Sequence, residues 1–115
     1  MRTFVVLALA LVACSASQRT KTLDGVYTAA VAAGSAFVAY DNAHQESIVA
    51  AGSNKAAVDA QLASYREIQV KILQLFVVTL QAIDAANKAN TDASVAGAVA
   101  AGAALVAELH KDGVL

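Results

Sequence analysis

The chain has no proline and no tryptophan, one cysteine, two histidines, three tyrosines and three phenylalanines. Each scarcity removes a class of protein. A lone cysteine cannot close an internal disulfide, and no Cys/His spacing resembles a zinc site. Eight basic residues against nine acidic ones leave a net charge of −1. Without a basic cluster there is no footprint for nucleic acid, which needs several phosphate-facing cations. All six glycines are isolated, so no glycine-rich loop can cradle a phosphate, and no serine sits in a G-x-S-x-G elbow. Charged residues make up only 15% of the chain while apolar ones reach 58%, which excludes a disordered polymer. At 115 residues the chain supports a single domain.

What is present in abundance is alanine, at 29 of the 115 residues. Alanine without proline favours helix throughout.

The first residues form an address. Met1, Arg2 and Thr3 place one basic side chain beside the terminal amine, and residues 4–13 (FVVLALALVA) are uniformly apolar. Cys14-Ser15-Ala16-Ser17 follows. A charged start, a short apolar run and a small-residue exit form a secretory signal peptide. Ten helical residues span only about 15 Å against about 30 Å of hydrocarbon, too little for a permanent membrane span. An ordinary signal peptide cut after Ser15 or Ser17 would discard Cys14.

Leu11-Val12-Ala13-Cys14 resembles the lipobox of bacterial lipoproteins, a Leu-small-small-Cys sequence that ends the apolar run. The resemblance covers about the first 14 residues and includes the only cysteine of the chain. It implies a cut just before Cys14, removal of residues 1–13 and acylation of Cys14, which would anchor the protein to membrane lipid. Ser15, where an aspartate would retain a lipoprotein at the inner membrane, resembles the signal for the outer membrane, facing the periplasm.

Residues 15–21 (SASQRTK) are small and polar, and read as a tether reaching about 25 Å at most. Beyond it the pattern predicts one helical domain over 22–115, with helices over 22–50, 55–88 and 92–110. Thr22 is the expected first N-cap, and Val26, Ala30, Ala33, Phe37, Tyr40, His44 and Ile48 form one apolar stripe at helical spacing. Gly52-Ser53-Asn54 is the first break. Glycine there suits a left-handed C-terminal position, and Ser53 or Asn54 caps the next helix. The second stripe is Val58, Leu62, Tyr65, Ile68 with Gln69, Ile72, Phe76, Leu80 and Ile83. Between Ile68 and Leu80 apolar residues cover nearly the whole circumference, so this helix is expected to be central and covered on several sides. Glu67 with Lys71, and Asp84 with Lys88, stand at the favourable i,i+4 order. Residues 87–91 (NKANT) form the second break, with Thr91 as cap, Asp92 complementing the third helix's N-terminus and Gly113 just past its end. The expected fold is all-α: a three-helix bundle made of a long antiparallel hairpin and a shorter Ala/Gly-rich third helix.

The third helix carries small residues every four positions at Ala93, Gly97 and Ala101, similar to packed transmembrane helices. Only 15 uncharged residues separate Asp92 from Glu108, about 22 Å, so the favoured reading is close packing against the other helices in water. His44, near Asp41 and Glu46, is the one candidate base or ligand, but a rim histidine with a satisfied hydrogen bond is the plainer reading. No partner three or four residues away completes a metal face for His44 or His110. Neither a catalytic residue, a cofactor, a metal nor a small-molecule substrate is expected, so the chain reads as a non-enzyme. Tyr27 and Val31, off the main stripe, form a candidate partner surface.

The expected function is that of a small, membrane-anchored envelope lipoprotein acting by helix-mediated protein contact, with an envelope protein or a second copy as partner. In size, anchor and helix content it is similar to pilotins and to phage or plasmid exclusion lipoproteins, a likeness of general plan rather than of motif. The alternative is a membrane-active protein that inserts and oligomerises through its small-residue helices.

Overall fold

A computed structural model describes residues 15–115. The lipobox residues Leu11, Val12, Ala13 and Cys14, and the signal segment as a whole, lie outside the described residues. The rest is all-α: α1 (Ala16–Ala51), α2 (Lys55–Ala89) and α3 (Asp92–Lys111), with no strand among the described residues. α1 and α2 form the long antiparallel hairpin. α3 returns alongside both, and its most extensive contact is with α2. The result is a slim body 58 Å long and 16 Å across its thinnest direction.

α1 starts earlier than its sequence suggests. The expected tether is the first turn and a half of the helix, and Ser15 rather than Thr22 is the N-cap, its side chain accepting from the Gln18 N–H at 3.2 Å. Thr22 is buried, and its hydroxyl donates to the Gln18 carbonyl at 2.9 Å. What holds this polar start in place is Arg19. Its guanidinium donates to Asn90 Oδ1 at 2.9 Å and to Asp92 Oδ1 at 3.0 Å, clamping α1 to the α2–α3 turn. The side chain is only 18% exposed, so this pair is less solvent-screened than most surface ion pairs.

The turns follow ordinary capping chemistry with one exception. Asn54 Oδ1 accepts from the Ala57 N–H at 2.9 Å. Asn90 closes α2 in the left-handed region at φ 50°, which asparagine tolerates better than most residues. Thr91 and Ser94 form a reciprocal capping box at the start of α3. Gly113, at φ +80°, follows its end. Gly52, however, is extended at φ −69°, not left-handed. Glycine is required there for space, because a Cβ would collide with the Val58 side chain.

Two apolar clusters fill the interior. Leu23, Ile83, Ala86, Val95, Ala98 and Val99 form the first, near the α2–α3 turn. Ala33, Phe37, Ile72, Leu105 and Leu109 form the second, with Phe76 and Val114 packed against it. Thr79 lies buried on α2, its hydroxyl donating to the Leu75 carbonyl at 2.8 Å, with the Ala101 carbonyl 3.2 Å away. The residues of α3 that face inward are Val95, Ala98, Val99, Leu105 and Leu109. Ala93 and Gly97 are exposed, so the small-residue repeat through Ala93, Gly97 and Ala101 is not the packing seam. Close approach is made instead at Ala98 and at Gly102, where a Cβ would lie 3.1 Å from Val26 Cγ1.

Two glycines on one helix therefore respond oppositely. Gly97→Ala meets nothing within 4 Å and should stabilise the fold by about 0.5–1 kcal/mol through helix propensity. Gly102→Val should destabilise by about 1–3 kcal/mol by forcing α3 from α1. Thermal melts of the two variants should move to opposite sides of the parent. Equal shifts would mean that the α1–α3 approach is looser than this packing.

Candidate functional site

Three features of the described residues bear on function: an open groove at the hairpin tip, a carboxylate cluster at the end of α3, and an exposed apolar face along α1 and α2.

α3 ends beside Tyr40, whose hydroxyl donates to the Asp112 carbonyl at 3.1 Å. Beyond that point the hairpin continues as two helices, leaving an open groove of about 530 Å³ that includes His44, Ile48, Gln61, Ser64 and Tyr65 along its walls. His44 stacks on Tyr40 with ring centroids 5.2 Å apart and lies 4.4 Å from the tilted Tyr65 ring. Beside it Asp41 accepts from Tyr65 Oη at 2.8 Å, Gln69 Nε2 at 2.6 Å and Gln45 Nε2 at 3.1 Å. Burial disfavours the charge on Asp41, but the donors from Gln69, Tyr65 and Gln45 outweigh it and hold the carboxyl below its ordinary value. The Tyr65 hydroxyl is pushed well above its ordinary range by burial and by its bond to Asp41. A carboxylate held by three donors and a phenol that keeps its proton form a polar staple between α1 and α2. Chemically the cluster orders the tip.

The second cluster lies where α3 ends. Lys71 pairs with Glu108 at 3.1 Å, not with Glu67 as the i,i+4 spacing suggests. Asp84 and Lys88 do pair, at 3.0 Å. The bond to Lys71 lowers the Glu108 carboxyl and raises the Lys71 ammonium. Asp112 goes the other way: burial and the neighbouring Glu108 charge raise its carboxyl. Its Oδ2 is buried with no hydrogen-bond partner among the described residues. Because a raised value favours the protonated carboxyl in the fold, this site adds stability as pH falls toward the ordinary 3.8 and loses it as pH rises. Asp112→Asn supplies a permanent N–H donor and should raise the melting temperature at pH 7. The difference from the parent should shrink below about pH 4, where the parent carboxyl carries its own proton. A pH-independent difference would show that Asp112 is not strained by charge.

The third feature departs most from expectation. α2 is not covered on several sides. Its buried residues are Tyr65, Ile72, Thr79, Ile83 and Ala86, which face α1 and α3. On another side Val70, Leu73, Val77 and Leu80 remain 46–53% exposed, and Val78 and Ile68 are exposed as well. Tyr27 at 52% and Val31 at 51% are exposed on α1, as their position off the stripe predicts. Tyr27 shares a surface groove with Leu80 and Asp84, and Val49 one with Leu62. Apolar groups of α1 and α2 therefore border one another along the hairpin. Scattered exposed apolar residues are normal, but a contiguous set marks a contact surface.

No group of three or more His, Cys, Asp or Glu side chains among the described residues is placed to hold a metal ion. All three helices contain a stretch long and apolar enough to cross a membrane by length and composition. No family model, curated protein or solved structure matches the chain.

Proposed function

We propose that the protein is a small lipid-anchored helical lipoprotein of the bacterial envelope that acts by protein contact through the exposed face of its α1–α2 hairpin. The observation that carries this reading is the row of half-exposed valines and leucines on α2, with Tyr27 of α1 beside Leu80. Such groups would lower their free energy by about 25 cal/mol for each Å² taken from water. The lipobox resemblance at Leu11, Val12, Ala13 and Cys14 supports the anchor. Two or three acyl chains, at about 0.8 kcal/mol per buried CH₂, would confine the bundle to a surface and raise its effective concentration for a membrane partner.

A second reading is favoured by the apolar stretches in all three helices: insertion of the helices into the bilayer themselves. The two readings divide on what holds the protein to the membrane. Radioactive palmitate should label the parent and not Cys14→Ala. With residues 1–14 replaced by an ordinary cleavable signal peptide, the processed bundle should be soluble after alkaline carbonate. An unlabelled parent would overturn the anchor, and a carbonate-resistant bundle without Cys14 would establish insertion.

A further inference from the structure

Val70, Leu73, Val77 and Leu80 recur at spacings of three, four and three residues. That is the a/d pattern of a coiled-coil seam, with valines at a and leucines at d. The seam is separate from the arc of α2 buried against α1 and α3. Its two heptads are bounded by Arg66 at the next d position upstream and Asp84 at the next a position downstream, both exposed. Arg66 takes part in none of the ion pairs among the described residues. Asp84 has only the exposed Lys88 of its own helix, a pair too weak to compete strongly.

The register of this stripe is symmetric about Leu75. Reversing the helix about that point sets Val70 against Leu80, Leu73 against Val77 and Arg66 against Asp84. Each layer then joins an a residue to a d residue, as antiparallel packing requires, and each end joins opposite charges. The parallel alternative sets Arg66 against Arg66 and Asp84 against Asp84. A face that is complementary to its own reverse is what a two-fold dimer uses. We propose that the occupant of the α2 face is a second copy of this chain, its α2 lying antiparallel along the Val70–Leu73–Val77–Leu80 seam and closed at both ends by Arg66–Asp84 pairs. Tyr27, which shares a groove with Leu80, flanks one end of this seam on α1 and widens the contact. The inference rests on the reading of the hairpin as a contact surface, and needs no assumption about the lipid anchor.

The test uses the full chain expressed in cells, as two differently tagged copies, Val70→Cys and Leu80→Cys, oxidised with copper phenanthroline. The parent, with Cys14 alone, sets the baseline. A mixed-tag disulfide dimer is expected from cells holding both copies, and none above baseline from cells holding either alone. Introducing Arg66→Asp into both copies should lower the mixed band several-fold, and adding Asp84→Arg should restore it, an exchange that a merely unfolded variant would not rescue. A strong band from Val70→Cys alone would indicate parallel pairing and overturn the proposal. So would absence of the mixed band. In that case a cross-link from either cysteine to a protein of another mass would leave the contact reading standing. Labelling of the same positions by a photoactivatable lipid, with no protein product, would overturn both.

Discussion

Leu105→Ala should lower the stability of the bundle by about 3 kcal/mol, and the melting temperature by on the order of 15 °C. Leu105 is fully buried on α3 and belongs to a cluster drawn from all three helices: Ala33 and Phe37 on α1, Ile72 on α2, and its own neighbour Leu109. Truncation removes the transfer free energy of the lost carbons and leaves a cavity, the two terms that together set the cost of such changes. The surroundings have limited means to close it. Ala33 is already minimal, and the Phe37 and Phe76 rings are packed against each other with centroids 6.3 Å apart. A domain of this size has about 5–15 kcal/mol in total, so one leucine is a large share. Circular dichroism melts would read the change. A shift of no more than about 3 °C, the effect of a substitution of well under 1 kcal/mol, would place Leu105 outside the core.

Tyr65→Ala should cost a similar amount, about 3–5 kcal/mol, but in a different place. Tyr65 is buried on α2 at the hairpin tip, with His44 and Tyr40 against its ring and Asp41 accepting from its hydroxyl. Beyond the end of α3 only two helices meet, so the ring and Ile48 are among the few buried apolar groups there and little can compensate. The loss should appear as local opening of the tip, because stability is distributed unevenly and thinly packed elements open first. Amide exchange should accelerate strongly in residues 44–64 and less in the α3 segment 95–109. The acid response should change as well. Asp41 is held below its ordinary carboxyl value in the fold, so it stabilises above 3.8, and that stability is lost as pH falls. Without the Tyr65 donor this acid-side loss should be smaller. Uniform acceleration through all three helices would show that the tip does not open as a unit.

The elements of this fold are plainly written in the chain. The absence of proline, the alanine content and the stripe through Val26, Ala30, Ala33, Phe37 and Ile48 predict α1, and Asn54 and Thr91 mark the following starts. These signals are local, since a cap bonds within three residues and an apolar stripe repeats every turn. The start of α1 was not legible from residues 15–21, because its polar first turns are held by Arg19 reaching Asn90 and Asp92, more than seventy residues away. Gly52 was legible as a break but not in its reason, which is the Val58 side chain across the turn. Lys71 has an eligible partner at Glu67, yet its ion pair is with Glu108 on α3. The Asp41 staple is not legible for the same reason: its donors Tyr65 and Gln69 come from the opposite helix.

Composition and spacing alone establish that the chain is helical and where its breaks fall, and the context of its single cysteine resembles a lipobox. The sequence also contains the a/d spacing of Val70, Leu73, Val77 and Leu80. What it could not decide is which side of α2 is covered, because residues 68–80 present apolar groups around nearly the whole circumference and any arc would serve as a core face. Tertiary structure decided that. α1 and α3 together cover the arc through Tyr65, Ile72 and Thr79, and two neighbours cannot enclose a third helix. The apolar side left over, which meets Tyr27 at Leu80, is a property of packing rather than of composition.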